Sequence, residues 1–270
     1  MGSRYLTDLA DVCRRSGYPV IEVDSWQHRA RGSGGYDSGR PNHVMIHHTA
    51  SGASMDGWPD VNYCTFNDDD APLCNLYLSR DGTIYVCAGG ATNTNGSGHD
   101  PCGHTPDDSM NSSAIGIEAG NNGTGERWPD RQLDSYLALC NALCSGYGIP
   151  QPRVHSHWEW APDRKIDPAG PPRPYDHGMS WDMNSFRADL GGSTIPIPPP
   201  SGDDDVEKYC VRTTDGYPWV TDFASYATAI TEDQAARGRD MRGYIVGSDG
   251  GPFPLDEQDS DLMLRLSGRP

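Results

Sequence analysis

Apolar residues at helical spacing mark three segments of the chain. Near the start, Leu6, Leu9, Ala10 and Cys13 recur every three or four positions, and Gly17 ends the run. This spacing predicts a first helix. A longer helix is predicted from Trp128 to Gly148, and a last one over 180–190, because each carries one apolar stripe.

Shorter runs between these helices are typical of strands. They occupy residues 19–23, 43–49, 75–79, 83–87, 114–119 and 153–157. The Arg-Asp-Gly turn at 80–82 predicts that the third and fourth runs form a hairpin. Strands interleaved with helices predict an α/β fold, with a single mixed central β-sheet flanked by helices.

A stretch rich in Pro, Gly and Asp at 191–205 predicts a linker. It separates a main domain at 1–190 from a small C-terminal domain at 206–270. Within that tail, residues 231–234 resemble a capping box that begins a helix, and 243–247 is typical of a strand. The tail is therefore expected to be a small α+β domain.

The formal net charge is −17, which argues against binding to nucleic-acid phosphates. No run approaches the ~18 to 20 apolar residues that span a bilayer, so no membrane insertion is expected. The first residues lack the apolar core of a signal peptide. We therefore expect a protein made in a cytoplasm without an export signal of its own.

None of the eight cysteines forms a CxxC pair, so a zinc knuckle is not expected. Cys140 and Cys144 lie four apart in the predicted long helix and are expected to pack in its apolar stripe. Two disulfide pairings stay open for an oxidising environment: Cys64 with Cys74, and Cys87 with Cys102.

Two segments carry side chains suited to a catalytic zinc ion, which takes three protein ligands and leaves a position for water. The first is His47-His48-Thr49 at the end of a predicted strand, where alternation places only one histidine on each face. The second joins His157 to Lys165 and Asp167. For the histidine pair, the alternative is a structural role in the strand.

The chain is expected to turn between His157 and Asp167, because Pro162 has no N–H for a strand ladder. The turn brings Asp167 back towards His157. Lys165 and Asp167, two residues apart, point the same way in an extended segment. The alternative is a surface salt bridge in a loop, and the spacing alone does not decide between the two.

These two segments carry a resemblance to a known family. HHTA at 47–50 and HxxxAPxRKxDP at 157–168 resemble the type 2 N-acetylmuramoyl-L-alanine amidases, a superfamily that includes the peptidoglycan recognition proteins. Similar motifs occur at 78–85, 111–118 and 128–133. The combination is most similar to endolysins of phages that infect actinobacteria. The resemblance implies the amidase type 2 fold over residues 1–190.

The resemblance also implies a catalytic site with one Zn²⁺. Its ligands are His47, His157 and Asp167, and His155 is the alternative to His157. Glu118 is expected to activate the attacking water and Lys165 to stabilise the oxyanion. The alternative for Glu118 is an exposed carboxylate at a strand end. Three further residues are expected to contact substrate: His48, His99 and Trp158.

The implied function is zinc-dependent hydrolysis of the amide bond between the lactyl group of muramic acid and the stem peptide of bacterial peptidoglycan. The resemblance further implies a phage endolysin with antimicrobial activity, released through a holin to lyse the host cell. Two alternatives are a non-catalytic peptidoglycan-binding module and a zinc peptidase that cuts within the stem peptide. The C-terminal domain is expected either to bind cell wall or to dock on the amidase or mediate oligomerisation.

Overall fold

The computed structural model describes residues 2–67, 69–170, 175 and 179–192, together with four short strands after residue 208. The chain divides into two compact units, Met1–Pro198 and Pro199–Pro270. Most of the predicted linker lies outside the described residues.

The first unit is built on one six-stranded sheet. Its strands are β1 (Val20–Glu22), β2 (His43–His48), β3 (Leu76–Leu78), β4 (Ile84–Val86), β5 (Ala114–Ala119) and β6 (Val154–Ser156). They are ordered β1-β4-β3-β5-β2-β6. The β3–β4 hairpin is antiparallel and the other neighbours are parallel. The predicted single mixed sheet is confirmed.

The helices of this unit are α1 (Leu9–Arg14), α2 (Trp58–Asn62), α3 (Asp130–Tyr147), α4 (His157–Trp160) and α5 (Met183–Gly192). The predicted helices correspond to α1, α3 and α5, and Gly148 ends α3 in the left-handed conformation at φ +65. The sequence pattern did not predict α2, which continues into a π-helical turn at Tyr63–Asn67, or α4. Among the described residues, no helix is long and apolar enough to cross a membrane.

The two faces of the sheet differ in chemistry because side chains alternate along each strand. Val44 and Ile46 of β2 join Ile115 and Ile117 of β5 in the main apolar core, which also contains residues of α1, α3 and α5. The intervening residues of β2 include His43 and His47, and they face the opposite side. That second face therefore presents polar side chains beneath the loops.

One hydrogen bond connects α3 to the strand that carries His47. The buried Tyr136 hydroxyl accepts the His47 N–H at 3.0 Å and lies within donating distance of the carbonyls of His47, at 3.0 Å, and Ile117, at 3.2 Å. Within the β2–β5 ladder, the hydroxyl thus supplies the acceptor that the buried His47 N–H needs.

Tyr136→Phe is expected to lower the free energy of unfolding by about 1–3 kcal/mol, because it leaves the buried His47 N–H without its acceptor. Urea denaturation of the two proteins measures the difference. Tyr147→Phe is the matched control on the same helix, since it removes only an exposed hydroxyl that bonds Asp8 at 3.0 Å. Equal stability losses in the two variants would contradict the assignment.

The cysteines were predicted either to pack in the core or to form disulfide bonds. Cys140 and Cys144 are buried in the main core, which confirms their predicted packing role. Free thiols are found at Cys13, Cys64, Cys74, Cys87, Cys102, Cys140 and Cys144. Neither pairing left open by the sequence is formed in this structure.

The second unit contains a four-stranded antiparallel sheet in the order β10-β9-β7-β8. Its strands are β7 (Tyr209–Arg212), β8 (Pro218–Thr221), β9 (Tyr244–Val246) and β10 (Pro252–Pro254). β9 corresponds to the predicted strand at 243–247. The helix predicted to begin at 231–234 lies outside the described residues.

Candidate metal centre and active site

Three distant side chains meet on the polar face of the sheet. His47 Nδ1 lies 2.9 Å from His157 Nδ1 and 2.9 Å from Asp167 Oδ2, and His157 Nδ1 lies 3.0 Å from the same oxygen. All three residues are buried. The structure thus brings together the three ligands predicted from the sequence.

His47 is placed by the strand register. It lies opposite Glu118 in the parallel β2–β5 pair, so both side chains project from the same face. Each is near the carboxyl end of its strand, where the loops of this face converge. The centre of the sheet therefore positions the His47 imidazole and the adjacent Glu118 carboxylate.

The sequence pattern predicted His157 as the last residue of a strand, and this prediction was wrong. β6 ends at Ser156, and His157 begins the short helix α4. The change occurs because Ser156 and Glu159 form a capping box, each side chain bonding the other residue's backbone N–H. The helix turns the imidazole away from the direction of the strand.

Asp167 returns to the site through a turn fastened by backbone hydrogen bonds. Lys165 N–H donates to the Ala161 carbonyl at 3.0 Å, and Trp158 N–H donates to the Asp167 carbonyl at 3.1 Å. Beyond Asp167, the Ala169 N–H donates to His48 Nδ1 at 3.0 Å. The carboxylate is thereby fixed from both sides.

The hydrogen bond on the far side of the His157 ring shows that this donor set fits a metal ion. His157 Nε2 lies 2.8 Å from the Asn95 carbonyl oxygen, which accepts a proton but has none to donate. In the neutral ring the proton is therefore on Nε2, and Nδ1 directs a lone pair at the Asp167 carboxylate and His47 Nδ1. A cation satisfies all three groups, and such a backbone contact is typical of metal-binding histidines.

The surroundings keep the donors in the protonation states that a metal needs. Burial, reinforced by the neighbouring His157, lowers the pKa of His47 to about 4. Burial raises the pKa of the Asp167 carboxyl, but the adjacent imidazoles of His157 and His47 outweigh it and hold that pKa well below its usual range. At neutral pH the site presents a neutral His47 imidazole and a carboxylate, as metal binding requires.

Glu118 lies next to this group without being part of it. Its Oε1 is 3.9 Å from His47 Nδ1, and its buried Oε2 has no hydrogen-bond partner among the described residues. Burial raises the pKa of this carboxyl well above its ordinary value, and the charge of Asp167 raises it further. Only 16% of the Glu118 side chain is exposed, so a largely buried carboxyl group borders the three converging side chains.

Residues 37–170 include all of these side chains, and they match the protein family described as N-acetylmuramoyl-L-alanine amidase. Residues 37–170 of the chain belong to this amidase family. The predicted family membership and the predicted enzyme class are confirmed.

The chain is similar to several solved structures. One is the endolysin N-acetylmuramoyl-L-alanine amidase LysCS from Clostridium intestinale, with 20% identity, a TM-score of 0.44, and coverage of 64% of this chain and 95% of that one. A selenomethionine AmpD derivative has 22% identity, a TM-score of 0.46, and coverage of 64% and 96%. A mutant of Drosophila PGRP-LB, solved with tracheal cytotoxin, has 20% identity, a TM-score of 0.39, and coverage of 56% and 88%. No curated protein matches the chain.

His157 and Asp167 of this group open onto a cleft of about 530 Å³. Lys165 lines this cleft together with Glu118, His157 and Asp167, so the predicted pair of Lys165 and Asp167 does face one way. The same cleft is therefore bordered by the Lys165 ammonium, the Glu118 carboxylate and the side chains of His157 and Asp167.

Sequence reasoning missed several residues of the cleft wall. Asp60 of α2 is among them, and its Oδ2 accepts hydrogen bonds from Ser51 at 2.6 Å and Tyr77 at 3.2 Å. Burial raises the pKa of Asp60. The wall also includes Thr49, Asn93 and Thr94. Thr49 directly follows the His-His pair and Ser51 comes two residues later. Their position just after the pair was the signal that could have identified them as cleft residues.

The three predicted substrate contacts lie in different surroundings. His48 borders the cleft and accepts the Ala169 N–H, which makes it a support for the Asp167 loop. His99 is 79% exposed and pairs with Asp107 at 2.9 Å, away from the cleft-lining residues. Trp158 is half-buried against the main core. Their contact with substrate stays a prediction.

The alternative ligand His155 points elsewhere. It pairs with Met45 in the β2–β6 register and lies beside His43 and Asp100 instead of the cleft ligands. The structure therefore selects His157 for the group that contains His47 and Asp167.

Proposed function

We propose that the amidase hydrolyses the lactyl–L-alanine amide bond of peptidoglycan with one zinc ion bound by His47, His157 and Asp167. The observation that carries this proposal is the convergence of the three donor atoms within 3.0 Å of one another beside Glu118, whose buried Oε2 has no hydrogen-bond partner among the described residues. Two imidazoles and one carboxylate are a ligand set typical of catalytic zinc.

When bound, zinc polarises the substrate carbonyl and makes water a nucleophile at neutral pH. His47, His157 and Asp167 would hold the ion with three ligands and leave a position for water. The Asn95 carbonyl fixes the His157 tautomer, and the bonds at Trp158 and Ala169 fix Asp167. Ligands held in this way need little rearrangement on metal binding.

Glu118 moves the proton in this proposal. The attacking water adds its oxygen to the carbonyl carbon, and its proton passes to the Glu118 carboxylate. When the C–N bond breaks, Glu118 delivers that proton to the leaving nitrogen of L-alanine. General acid–base catalysis of this kind contributes roughly 10²–10⁴-fold to the rate.

Lys165 opposes the negative charge that develops on the carbonyl oxygen. Its side chain borders the same cleft as the ligands, so the ammonium lies on the substrate side. A fixed positive charge in a partly desolvated cleft stabilises such an oxyanion more than bulk water does.

The biological setting in this proposal is phage lysis. The motifs at 47–50 and 157–168 resemble those of phage endolysins. The enzyme then reaches the cell wall from the host cytoplasm through a holin, and the second unit supplies wall binding.

Mass spectrometry of digested cell walls tests the reaction. We expect stem peptides with a free L-alanine amino group and intact muramic acid lactyl groups, and we expect chelation to abolish their release and added Zn²⁺ to restore it. Cleavage inside the stem peptide would instead identify a zinc peptidase. Binding to walls without any new amine would identify a recognition module.

A further inference from the structure

A second group of potential metal ligands lies on the same face of the sheet as His47. It consists of His43 at the start of β2, His155 on β6 and Asp100 in the loop that follows β4. Their side chains are 0%, 2% and 1% exposed. None of the three lines the cleft, so this group is separate from the active site.

The hydrogen bonds of His43 leave one ring nitrogen with a free lone pair. Arg40 Nη1 donates to Asn42 Oδ1, which identifies that atom as the amide oxygen. His43 Nδ1 lies 2.8 Å from the same oxygen and must therefore carry the proton. In the neutral ring Nε2 then directs its lone pair at Asp100 Oδ2, 3.3 Å away.

His155 has no hydrogen bond to either ring nitrogen within the described residues. Its Nε2 lies 3.7 Å from Asp100 Oδ1, and its Nδ1 lies 3.7 Å from Glu159 Oε2. Burying an imidazole with both nitrogens unsatisfied is costly, because each forfeits a hydrogen bond to water. A ligand at Nε2 removes the part of this cost that falls on Nε2.

The Asp100 carboxylate is held in position by its own loop. Oδ1 accepts the Cys102 N–H at 2.9 Å, and Oδ2 accepts the N–H groups of His104 at 2.7 Å and Thr105 at 2.8 Å. These bonds stabilise the ionised form and fix both oxygens towards the two histidines. A buried anion thus faces two imidazole nitrogens, and for His43 that nitrogen carries a lone pair.

We propose that His43, Asp100 and His155 bind a second divalent transition-metal ion of the Zn²⁺ class, with a structural role. All three ligand atoms lie within 4.8 Å of one another. Side-chain shifts of less than about 1 Å bring them to the separations expected for metal–ligand distances near 2.0–2.2 Å. Imidazole and carboxylate donors favour Zn²⁺ over Ca²⁺ or Mg²⁺, which prefer oxygen ligands alone.

Burial of the ion here ties the 95–105 loop to the sheet. The two histidines come from neighbouring strands, whereas Asp100 comes from the loop, so the ion cross-links elements far apart in sequence. The same loop supplies the Asn95 carbonyl that orients His157. The second ion therefore positions a support of the active site without touching substrate.

Zinc content and zinc binding of three variants test the proposal. After removal of metal with a chelator and reloading with Zn²⁺, we expect two equivalents in the wild-type protein, one in Asp167→Ala, one in Asp100→Asn and none in the double variant. Plasma mass spectrometry after gel filtration measures the content. Calorimetric titration of Asp167→Ala with Zn²⁺ isolates the second site, where adding Asp100→Asn should weaken affinity by more than about 100-fold.

Asp107→Asn is the matched control, since Asp107 is an exposed carboxylate in the same loop, and it should retain two equivalents. Circular dichroism establishes that each variant is folded. If Asp100→Asn does not fold, Asp167→Ala alone decides the question: bound Zn²⁺ should raise its midpoint of thermal unfolding. A folded, metal-free Asp167→Ala protein that binds no Zn²⁺ would overturn the proposal.

Failure of the second site and failure of the proposed function give different results. If the cleft ligands hold no zinc, Asp167→Ala retains the wild-type metal content and activity while Asp100→Asn still loses an equivalent. If the second site does not exist, Asp100→Asn retains the wild-type content while Asp167→Ala loses its zinc and its activity.

Discussion

Asp167→Ala is expected to lose the catalytic zinc ion and to reduce amidase turnover by about 10³-fold or more. The carboxylate is the one anionic ligand of the group, and its oxygen lies within 3.0 Å of both imidazole donors. Zinc contributes several kcal/mol of transition-state stabilisation in such enzymes, and 1.4 kcal/mol corresponds to tenfold in rate. Release of L-alanine amino groups from cell walls, measured beside zinc content, checks both losses.

Asp163→Ala is the control for this substitution. Asp163 is an exposed carboxylate in the same turn, four residues before Asp167, so its loss changes the local charge equally without removing a ligand. The control should retain wild-type zinc content and turnover. Wild-type zinc content and turnover in the Asp167→Ala protein would refute the assignment of this carboxylate as a ligand.

The parts of the site that lie on regular strands could be predicted from sequence. Alternation along β2 separates His47 from His48, and the structure directs them to the cleft ligands and to the Ala169 N–H respectively. Side-chain period and strand end are local properties, and they predict that only one histidine of the pair lies on each face. The resemblance to the family motifs then names His47, His157 and Asp167 as the expected ligand set.

The supports of the site could not be predicted, because they are backbone atoms or long-range contacts. The Asn95 carbonyl that fixes His157 is 62 residues away along the chain, and a carbonyl group leaves no trace in the side-chain pattern. The residue types of the capping box at Ser156 and Glu159 are visible in the sequence, but the box begins inside the segment predicted as a strand. Local signals at the end of β6 thus favoured both a strand and a helix start.

The second histidine group was equally hidden. His43 and Asp100 are 57 positions apart, and His155 appeared in the sequence only as a rival to His157. The β2–β6 register sends His155 to a different part of the sheet face, beside Asp100. Register between distant strands is set by packing of the whole sheet, so no local motif reveals such a pair.

Glu118→Gln is expected to retain zinc but to lose roughly 10²–10⁴-fold in turnover, because the amide has no site for the proton of the attacking water. The dependence of turnover on pH provides a second test. Burial raises the pKa of Glu118, so the wild-type rate should fall as the pH is lowered through that raised value, and the fall should begin at a higher pH than for an exposed glutamate. The residual activity of the variant should lack this acidic limb.

The same burial predicts the effect of the substitution on stability. A raised pKa in the folded protein means that the ionised Glu118 carboxylate opposes folding above the pKa of the unfolded chain, and this cost grows as the pH rises. Metal-free Glu118→Gln should therefore unfold at a higher temperature than the metal-free wild type at neutral pH, even though it is far less active.

Near-native turnover in the variant would eliminate Glu118 as the general base. A loss of turnover that is accompanied by loss of zinc would mean that the carboxylate acts on the metal ligands instead of on the proton.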